Sequence, residues 1–420
     1  MRLPPKTRLY AVVGVLGLAS PYLGKLSLLP FALIGFAGFA SRSPSWETQA
    51  TDDAMSLGFA AFGISLLSYF LGLPQVGVTG SILGVVAGDF GVRSLGRKSV
   101  WSPVAFVTAG GVTGVLGVVV SPLVVSVSEA FFVVTVGVLV AATVGFGLSE
   151  GKRRLSRGNA SYMAVSSAAA IWVTRSLETE VTGEGVGVAF AAVAAFACVS
   201  YYIGAASVTG ALTGTVVGFV TSVAGGFGWL GVLMLFFVLG AGSTRYRYDD
   251  KIEMGVAEEN DGARGATNVL ANSAVGLVAV VVFGLGLGDP ISEIAKLVFA
   301  GSLATATADT LSSEIGSVHE TPRLITTFEK VSPGTDGGVT LQGEVVTVAA
   351  SVFVAAVSAV LGVVPVETAV LVFVGLGGIL GAHIDSVLGA TVEGSLMNNT
   401  GVNFAATASG GVGAAVLYLL

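Results

Sequence analysis

Three carboxylates set in apolar sequence are the residues best suited to chemistry in this chain of 420 residues. Asp309 and Glu314 lie within residues 304–344, and Asp385 lies in a later apolar run. A carboxylate in such surroundings is costly unless it is paired or used, and Mg²⁺ prefers oxygen ligands. We therefore predict that Asp309, Glu314 and Asp385 are catalytic residues that hold a Mg²⁺ ion.

Helical spacing limits which of these groups can meet. On a helix, Asp309, Ser312, Ser313 and Gly316 share one face, because residues i, i+3, i+4 and i+7 align. Glu314 is turned about 140° away from Asp309 at 100° per residue. Both carboxylates therefore reach one ion only if the helix breaks near Ser312, and a straight helix would leave Glu314 to packing. A polar packing contact between helices is the alternative for each carboxylate.

The segment that follows, residues 322–343, combines basic side chains, hydroxyls and a glycine-rich turn. Backbone N–H groups in such turns bind phosphate oxygens, and arginine binds them through paired hydrogen bonds. A solvated loop between helices is the alternative. The predicted phosphate- and nucleotide-binding residues are Arg323, Thr326, Thr327, Lys330, Gly334, Thr335, Gly337 and Gly338, with Arg245, Arg264, Asn272 and Asn403 from other polar segments.

Composition indicates that the chain folds in a lipid membrane. The chain is 53% hydrophobic and only 11% charged, with a mean hydropathy of +0.86, whereas soluble domains carry about 25% charged residues. At roughly 20 apolar residues per span, the apolar runs predict about 12 to 14 transmembrane helices. We therefore expect an all-α, polytopic integral membrane protein in contact with the lipid bilayer. The 20 basic residues are dispersed or in short loops, so no nucleic acid partner is expected.

Charged segments predict the domain boundary and the orientation. Residues 175–184 form an acidic, Gly/Thr-rich linker, which predicts a boundary near residue 180 between domains 1–180 and 181–420. Cytoplasmic loops carry an excess of Lys and Arg, which places residues 152–157 and 245–264 in the cytoplasm. No Lys or Arg follows Lys330, so the last three spans are oriented only by counting.

The second half resembles the transmembrane protein 19 family, whose plant chloroplast members are phytyl-phosphate kinases. The first half more faintly resembles the CTP-using phytol and dolichol kinases, through Gly88-Asp89 and Gly96-Arg97-Lys98, although Val92 stands where a small residue is usual. This second likeness makes Asp89, Arg97 and Lys98 candidate site residues of the first domain. The motifs that carry the first resemblance are, in order, SVTGALTG at 207–214, the loop 245–272, ADTLSSEIG at 308–316, ITTFEKVSPGTDGGVTLQG at 325–343 and IDSVLGAT at 384–391.

These resemblances imply a phosphotransferase. The implied reaction moves a phosphoryl group from a nucleoside triphosphate, expected to be CTP, to a phytyl- or geranylgeranyl-type monophosphate. The implied partners are Mg²⁺, the nucleotide and an isoprenoid lipid phosphate, in a prokaryotic cytoplasmic membrane with the site facing the cytoplasm. Two alternatives stay open. The first half could phosphorylate the prenol itself, or the protein could be a lipid or small-molecule transporter, since midplane carboxylates and Gly-broken helices also occur in transporters.

Overall fold

The computed structural model describes residues 5–40, 49–95, 101–123, 125–147, 159–177, 183–257, 262–319 and 321–420. These ranges are almost entirely helical, which confirms the predicted all-α class. The helices are α1 (Pro5–Leu23), α2 (Leu28–Ala40), α3 (Gln49–Phe70), α4 (Val76–Leu95), α5 (Ser102–Val119), α6 (Val127–Gly147), α7 (Ala160–Arg175), α8 (Gly183–Tyr202), α9 (Val208–Ala224), α10 (Phe227–Arg245), α11 (Tyr248–Met254), α12 (Ala266–Gly284), α13 (Ile291–Gly316), α14 (Leu341–Val360), α15 (Thr368–Thr391) and α16 (Asn399–Leu419).

Many of these helices are long and apolar enough to cross a bilayer. The described residues contain eleven such segments by length and composition. Two shorter apolar segments, Met55–Phe70 and Val208–Ala224, bring the total within the predicted range. The first candidate span, Tyr10–Gly35, includes parts of α1 and α2 and the 3₁₀ turn Gly24–Ser27 between them. Helices satisfy their own backbone hydrogen bonds inside lipid, so the chain is an all-α polytopic integral membrane protein.

The chain divides into two compact units. The first contains α1 to α7 and the beginning of α8, and the second contains Leu177 and everything from Ala189 to Leu420. The predicted domain boundary near residue 180 stays a prediction, because residues 178–182 lie outside the described part of the chain. The basic segment 152–157 lies outside it as well.

Glycines bring the helices of the second unit into backbone contact. A Cβ added at Gly377 of α15 would lie 2.5 Å from the carbonyl oxygen of Gly410 in α16. A Cβ at Gly381 would lie 2.8 Å from the carbonyl oxygen of Ala406 and 2.3 Å from Thr305 Oγ1 of α13. Small residues permit this close packing inside lipid, where it replaces the hydrophobic effect as the driving force. The polar groups on α13, α15 and α16 are therefore held at short range.

A small hairpin connects α13 to α14. Its strands β1 (Arg323–Leu324) and β2 (Gly338–Val339) pair antiparallel, with Arg323 opposite Val339. Gly337 adopts φ +74°, and a Cβ there would lie 2.4 Å from the Ser386 carbonyl oxygen of α15. Glycine alone tolerates both this backbone conformation and this contact. The glycine-rich turn is thereby seated against the last turns of α15.

Candidate functional site

Two of the predicted carboxylates meet. Asp309 of α13 and Asp385 of α15 lie within hydrogen-bonding reach of each other, and both are partly buried. Ala308, Ala350 and Ala382 form a buried cluster beside them, and these small side chains allow the two helices to approach. Carboxylates this close repel when both are ionised, so the pair needs a cation or a shared proton.

The pair lines a polar cavity of about 590 Å³ in the second unit. Two groups of helices line the cavity, one with its N-terminal turns and the other with its C-terminal turns. Residues in the first turns of α12, α14 and α16 line it, so three partly positive helix N-termini are close to the cavity. The last turns of α13 and α15 line it as well and carry the carboxylates. Helix N-termini favour anions and carboxylates favour cations, so this arrangement is compatible with both an anion and a cation.

The polar face predicted for α13 is present. Asp309, Ser312, Ser313 and Gly316 all line the cavity, and α13 continues as a helix from Ile291 to Gly316 without the break near Ser312 that a shared ion would require. These four residues therefore face one cavity, as their helical spacing predicts.

Glu314 is engaged elsewhere. Its Oε2 accepts a hydrogen bond from Lys251 Nζ at 2.6 Å, and its Oε1 accepts one from Thr244 Oγ1 at 2.8 Å. Lys251, which is fully buried, also donates to the Ser243 carbonyl oxygen at 2.9 Å. Both oxygens of Glu314 are thus used by protein donors, although its side chain borders the cavity.

The predicted three-carboxylate metal set is therefore not assembled. Among the described residues, no group of three or more His, Cys, Asp or Glu side chains is placed to hold a metal ion. Of Asp309, Glu314 and Asp385, the structure brings together the first and the last. The physical reason is the straight helix, which turns Glu314 toward α11 while Asp309 faces α15.

The two aspartates still fit a divalent cation. Oδ1 of Asp385 is buried without a hydrogen-bond partner among the described residues. An unpartnered carboxylate oxygen beside a second carboxylate offers the hard donors that Mg²⁺ prefers. Asp309 and Asp385 are the residues that would hold such an ion.

Besides Glu344 of α14, two further acidic residues line the cavity, and sequence reasoning missed them. Glu393 follows α15, and Asp336 belongs to the glycine-rich turn. Partial burial raises the pKa of Glu393, and the negative charge of Asp336 raises it further. In the sequence both resemble ordinary loop carboxylates, since only the docking of the turn on α15 brings them together.

Arg264 supplies positive charge to the cavity. Its Nη1 donates to Asn268 Oδ1 at 2.9 Å, and its Nη2 donates to Thr244 Oγ1 at 3.4 Å. Its positive charge is close enough to Asp309 to act on that carboxylate. Asn272 is buried, lines the same cavity and donates to the Asn268 carbonyl oxygen at 3.1 Å. The predicted residues Arg264, Asn272 and Asn403 all border this cavity.

Only part of the predicted phosphate-binding loop lines the cavity. Gly334, Thr335, Gly337 and Gly338 line the cavity. Arg323 does not, and it instead donates from Nη1 to the Phe328 carbonyl oxygen at 2.8 Å. Arg245 also lies outside this cavity and donates to the Ile203 carbonyl oxygen. The residues predicted to bind phosphate that the cavity does not include are Arg245, Arg323, Thr326, Thr327 and Lys330.

Of the candidate residues of the first unit, the structure describes Asp89. Asp89 pairs with Arg93 one turn later in α4. The Arg93 guanidinium lies 5.4 Å from the centroid of the Tyr10 ring, so this pair is also part of a cation–π contact. Arg97 and Lys98 lie outside the described residues.

Fold and site together define a polytopic integral membrane protein with an acidic, polar cavity at the ends of several helices. Residues 191–411 match the family described as Integral membrane protein DUF92. The chain belongs to this family. The matched region contains every motif on which the resemblance of the second half depends, and both aspartates of the cavity.

Three relatives show how far the similarity extends. The chain is 36% identical over 173 residues to Protein VTE6, chloroplastic, of Arabidopsis thaliana, covering 40% of this chain and 51% of that protein. It is 34% identical over 212 residues to an uncharacterized membrane protein of Methanocaldococcus jannaschii, covering 50% of this chain and 84% of the relative. It is 32% identical over 205 residues to Protein PGR of Arabidopsis thaliana, covering 43% of this chain and 71% of the relative.

The alignment with the chloroplastic relative thus spans about half of that protein's length. No solved structure matches the chain.

Proposed function

We propose that this protein is an integral-membrane prenyl monophosphate kinase that uses a nucleoside triphosphate and forms a prenyl diphosphate. The observation that carries the proposal is the contact between Asp309 and Asp385 in a polar cavity. That cavity is bordered by Arg264, the glycine-rich turn and three helix N-termini. The resemblance to phytyl-phosphate kinases supports the substrate class, and the likeness of the first half to CTP-using kinases is the support for CTP as donor.

The position of the carboxylates within their helices supports a kinase over a transporter. Asp309 lies seven residues before the end of α13 at Gly316, and Asp385 lies six residues before the end of α15 at Thr391. Both lie in the C-terminal half of their helices, and both line the cavity that the glycine-rich turn between α13 and α14 also lines. A carboxylate pair beside a loop outside the helices is reached from the aqueous side by a nucleotide, whereas transporter sites lie near the bilayer midplane.

Catalysis of phosphoryl transfer consists mostly of positioning the phosphates and neutralising their charge, and different residues of the cavity would serve each purpose. A bound Mg²⁺ ion would neutralise charge on the phosphates, and Asp309 and Asp385 would hold it. Arg264 and the backbone N–H groups of the Gly334–Gly338 turn would bind phosphate oxygens. Lys251 and Glu314 hold α11 against α13 and so keep the wall of the cavity in place.

The proposed reaction needs no general base. A phosphate oxygen of the prenyl monophosphate attacks the γ-phosphorus of the nucleotide, and a new P–O bond forms there. The bond between the γ-phosphorus and the β–γ bridging oxygen breaks, and the nucleoside diphosphate leaves with that electron pair. The acceptor oxygen is already ionised at neutral pH, so no side chain has to remove a proton from it.

The test is direct. Purified protein would be incubated with geranylgeranyl or phytyl monophosphate, Mg²⁺ and each nucleoside triphosphate in turn, and the diphosphate would be measured by mass spectrometry. We expect diphosphate formation, fastest with CTP, and its loss in Asp385→Asn. If no nucleotide yields diphosphate while the protein moves a lipid phosphate across liposome membranes, the kinase proposal fails.

A further inference from the structure

A second cavity, of about 370 Å³, lies within the same unit between α8, α9 and α10. Its walls are almost entirely apolar and include Phe196, Leu233 and Phe237. On α9 it is lined by the small residues Gly210, Gly214 and Gly218, whose spacing of four places them on one helix face. An apolar space of this kind fits a hydrocarbon chain rather than a nucleotide.

One residue belongs to both cavities. Arg264 lines the apolar cavity, and it also lines the polar cavity that holds Asp309 and Asp385. The two cavities therefore share Arg264 in their walls. This arrangement matches the chemistry of a lipid phosphate, which has an apolar chain at one end and an anion at the other.

The position of Arg264 is fixed by its backbone. Its N–H donates to the Ala205 carbonyl oxygen at 3.1 Å, and its carbonyl oxygen accepts from the Ser207 N–H at 3.0 Å. A Cβ at Gly210 would lie 2.0 Å from that same carbonyl oxygen, so α9 approaches as closely as a glycine permits. The side-chain bonds to Asn268 and Thr244 then orient the guanidinium. A guanidinium has five N–H donors in a fork that suits phosphate.

We propose that the apolar cavity holds the prenyl chain of the acceptor, and that Arg264, which lines both cavities, binds its phosphate. This inference rests on the proposed kinase function, because it assigns the acceptor subsite of the same reaction. The cavity follows α10 from Leu230 to Gly242, a rise of about 18 Å at 1.5 Å per residue. A cavity of that length accommodates a chain of several isoprene units, and a five-carbon chain would leave most of it empty.

Gly214 provides the test variant. It lines the middle of the cavity, and a Cβ added there meets no atom within 4 Å. Gly214→Phe would therefore fill the space without a clash at the backbone. Gly187→Phe is the matched control, because Gly187 is an exposed residue of α8, outside the cavity, with equally open space around its Cβ. Gly242→Leu, at the other end of the cavity and also unobstructed, is a second variant if the first does not fold.

The primary measurement is binding without nucleotide or Mg²⁺. Dissociation constants of geranylgeranyl monophosphate and dimethylallyl monophosphate would be determined from the rise in melting temperature that each produces. We expect Gly214→Phe to weaken binding of the twenty-carbon probe at least tenfold and that of the five-carbon probe less than twofold. Gly187→Phe should bind both as the wild type does. Uncharged geranylgeraniol should bind more weakly than its monophosphate, and the difference should shrink in Arg264→Gln.

The outcomes separate this inference from the kinase proposal. If Gly214→Phe and Gly242→Leu bind both probes as the wild type does, the cavity is only a place for bilayer lipid and the inference fails. If the wild type prefers the long chain and Gly214→Phe abolishes that preference, the inference stands. It stands in that case even if no nucleotide gives a diphosphate, a result that would overturn the kinase proposal alone.

Discussion

Lys251 Nζ lies 2.6 Å from Glu314 Oε2, and both side chains are buried. Each partner makes a further hydrogen bond. Lys251 also donates to the Ser243 carbonyl oxygen, and Thr244 donates to Glu314. Buried charges are tolerated only when they are paired and hydrogen-bonded in this way. This relationship joins α11 to α13 and explains why Glu314 is not directed at the aspartate pair.

We predict that breaking this pair destabilises the protein. Lys251→Met leaves the Glu314 carboxylate buried without its partner, which costs about 3–5 kcal/mol. The double variant Lys251→Met/Glu314→Gln removes both charges and should recover part of that loss. Thermal unfolding in detergent measures both variants.

The matched control for this prediction is the more exposed Lys296–Glu293 pair, also at 2.6 Å. Lys296→Met should cost about 0–1 kcal/mol, since such pairs contribute little. In Glu314→Gln, the Mg²⁺ concentration for half-maximal activity should stay at the wild-type value. A large increase would return Glu314 to the metal ligands and contradict our assignment.

Replacing either aspartate of the pair by asparagine should lower activity but raise stability in the absence of Mg²⁺. Asp309→Asn and Asp385→Asn should each reduce turnover by at least a hundredfold, because each would remove a ligand of the proposed ion. In the presence of EDTA, however, both variants should melt at a higher temperature than the wild type, since they relieve repulsion between two carboxylates. Both should also lose the stabilisation that Mg²⁺ gives the wild type.

Glu367→Gln is the control for the aspartates, because Glu367 is an exposed carboxylate at the opposite end of α15. It should leave the melting temperature and the response to Mg²⁺ unchanged. If the two aspartate variants melt below the wild type in EDTA, the pair stabilises the fold through a shared proton instead, and the metal assignment would have to be abandoned.

The contact between the glycine-rich turn and α15 can be tested by substituting alanine at two glycines, Gly337 and Gly362. Gly337 and Gly362 have nearly the same φ, +74° and +72°, so Gly→Ala incurs a similar backbone penalty of about 1–2 kcal/mol at both. A Cβ at Gly337 would also lie 2.4 Å from the Ser386 carbonyl oxygen, whereas one at Gly362 meets nothing within 4 Å. Gly337→Ala should therefore lower stability further and raise the KM for nucleotide. Equal effects of the two variants in both measurements would show that the turn is not seated on α15.

Basic residues provide the last prediction. Arg264→Gln should weaken phosphate binding about tenfold to a hundredfold, because a hydrogen bond to a charged group contributes about 1.5–3 kcal/mol. Arg323→Gln should change it less than threefold, since Arg323 donates to the Phe328 carbonyl oxygen of its own hairpin. Titration with inorganic phosphate and with the prenyl monophosphate measures both variants. A stronger effect from Arg323 would restore the phosphate loop as the sequence predicts it.

Several features of the site follow from local pattern alone. Composition predicts the membrane helices, and helical spacing predicts that Asp309, Ser312, Ser313 and Gly316 share a face. The partner of Glu314 could not be predicted, because Lys251 lies 63 residues earlier in a segment that reads as a charged loop. Arg264 and Arg323 are likewise equivalent by residue type, and their different positions depend on where α12 and the hairpin pack.

The sequence by itself determined the all-α membrane class and the polar face of α13, because both depend on composition and on a helical period that is local to each segment. Only the tertiary structure decided that Asp309 meets Asp385, that Glu314 pairs with Lys251 and that Arg264 borders both cavities. The physical reason is that helical periodicity specifies the direction of a side chain about its own axis. Which helices face each other is set by close packing of glycine and alanine surfaces, such as those of α13 and α16, across long separations in the chain.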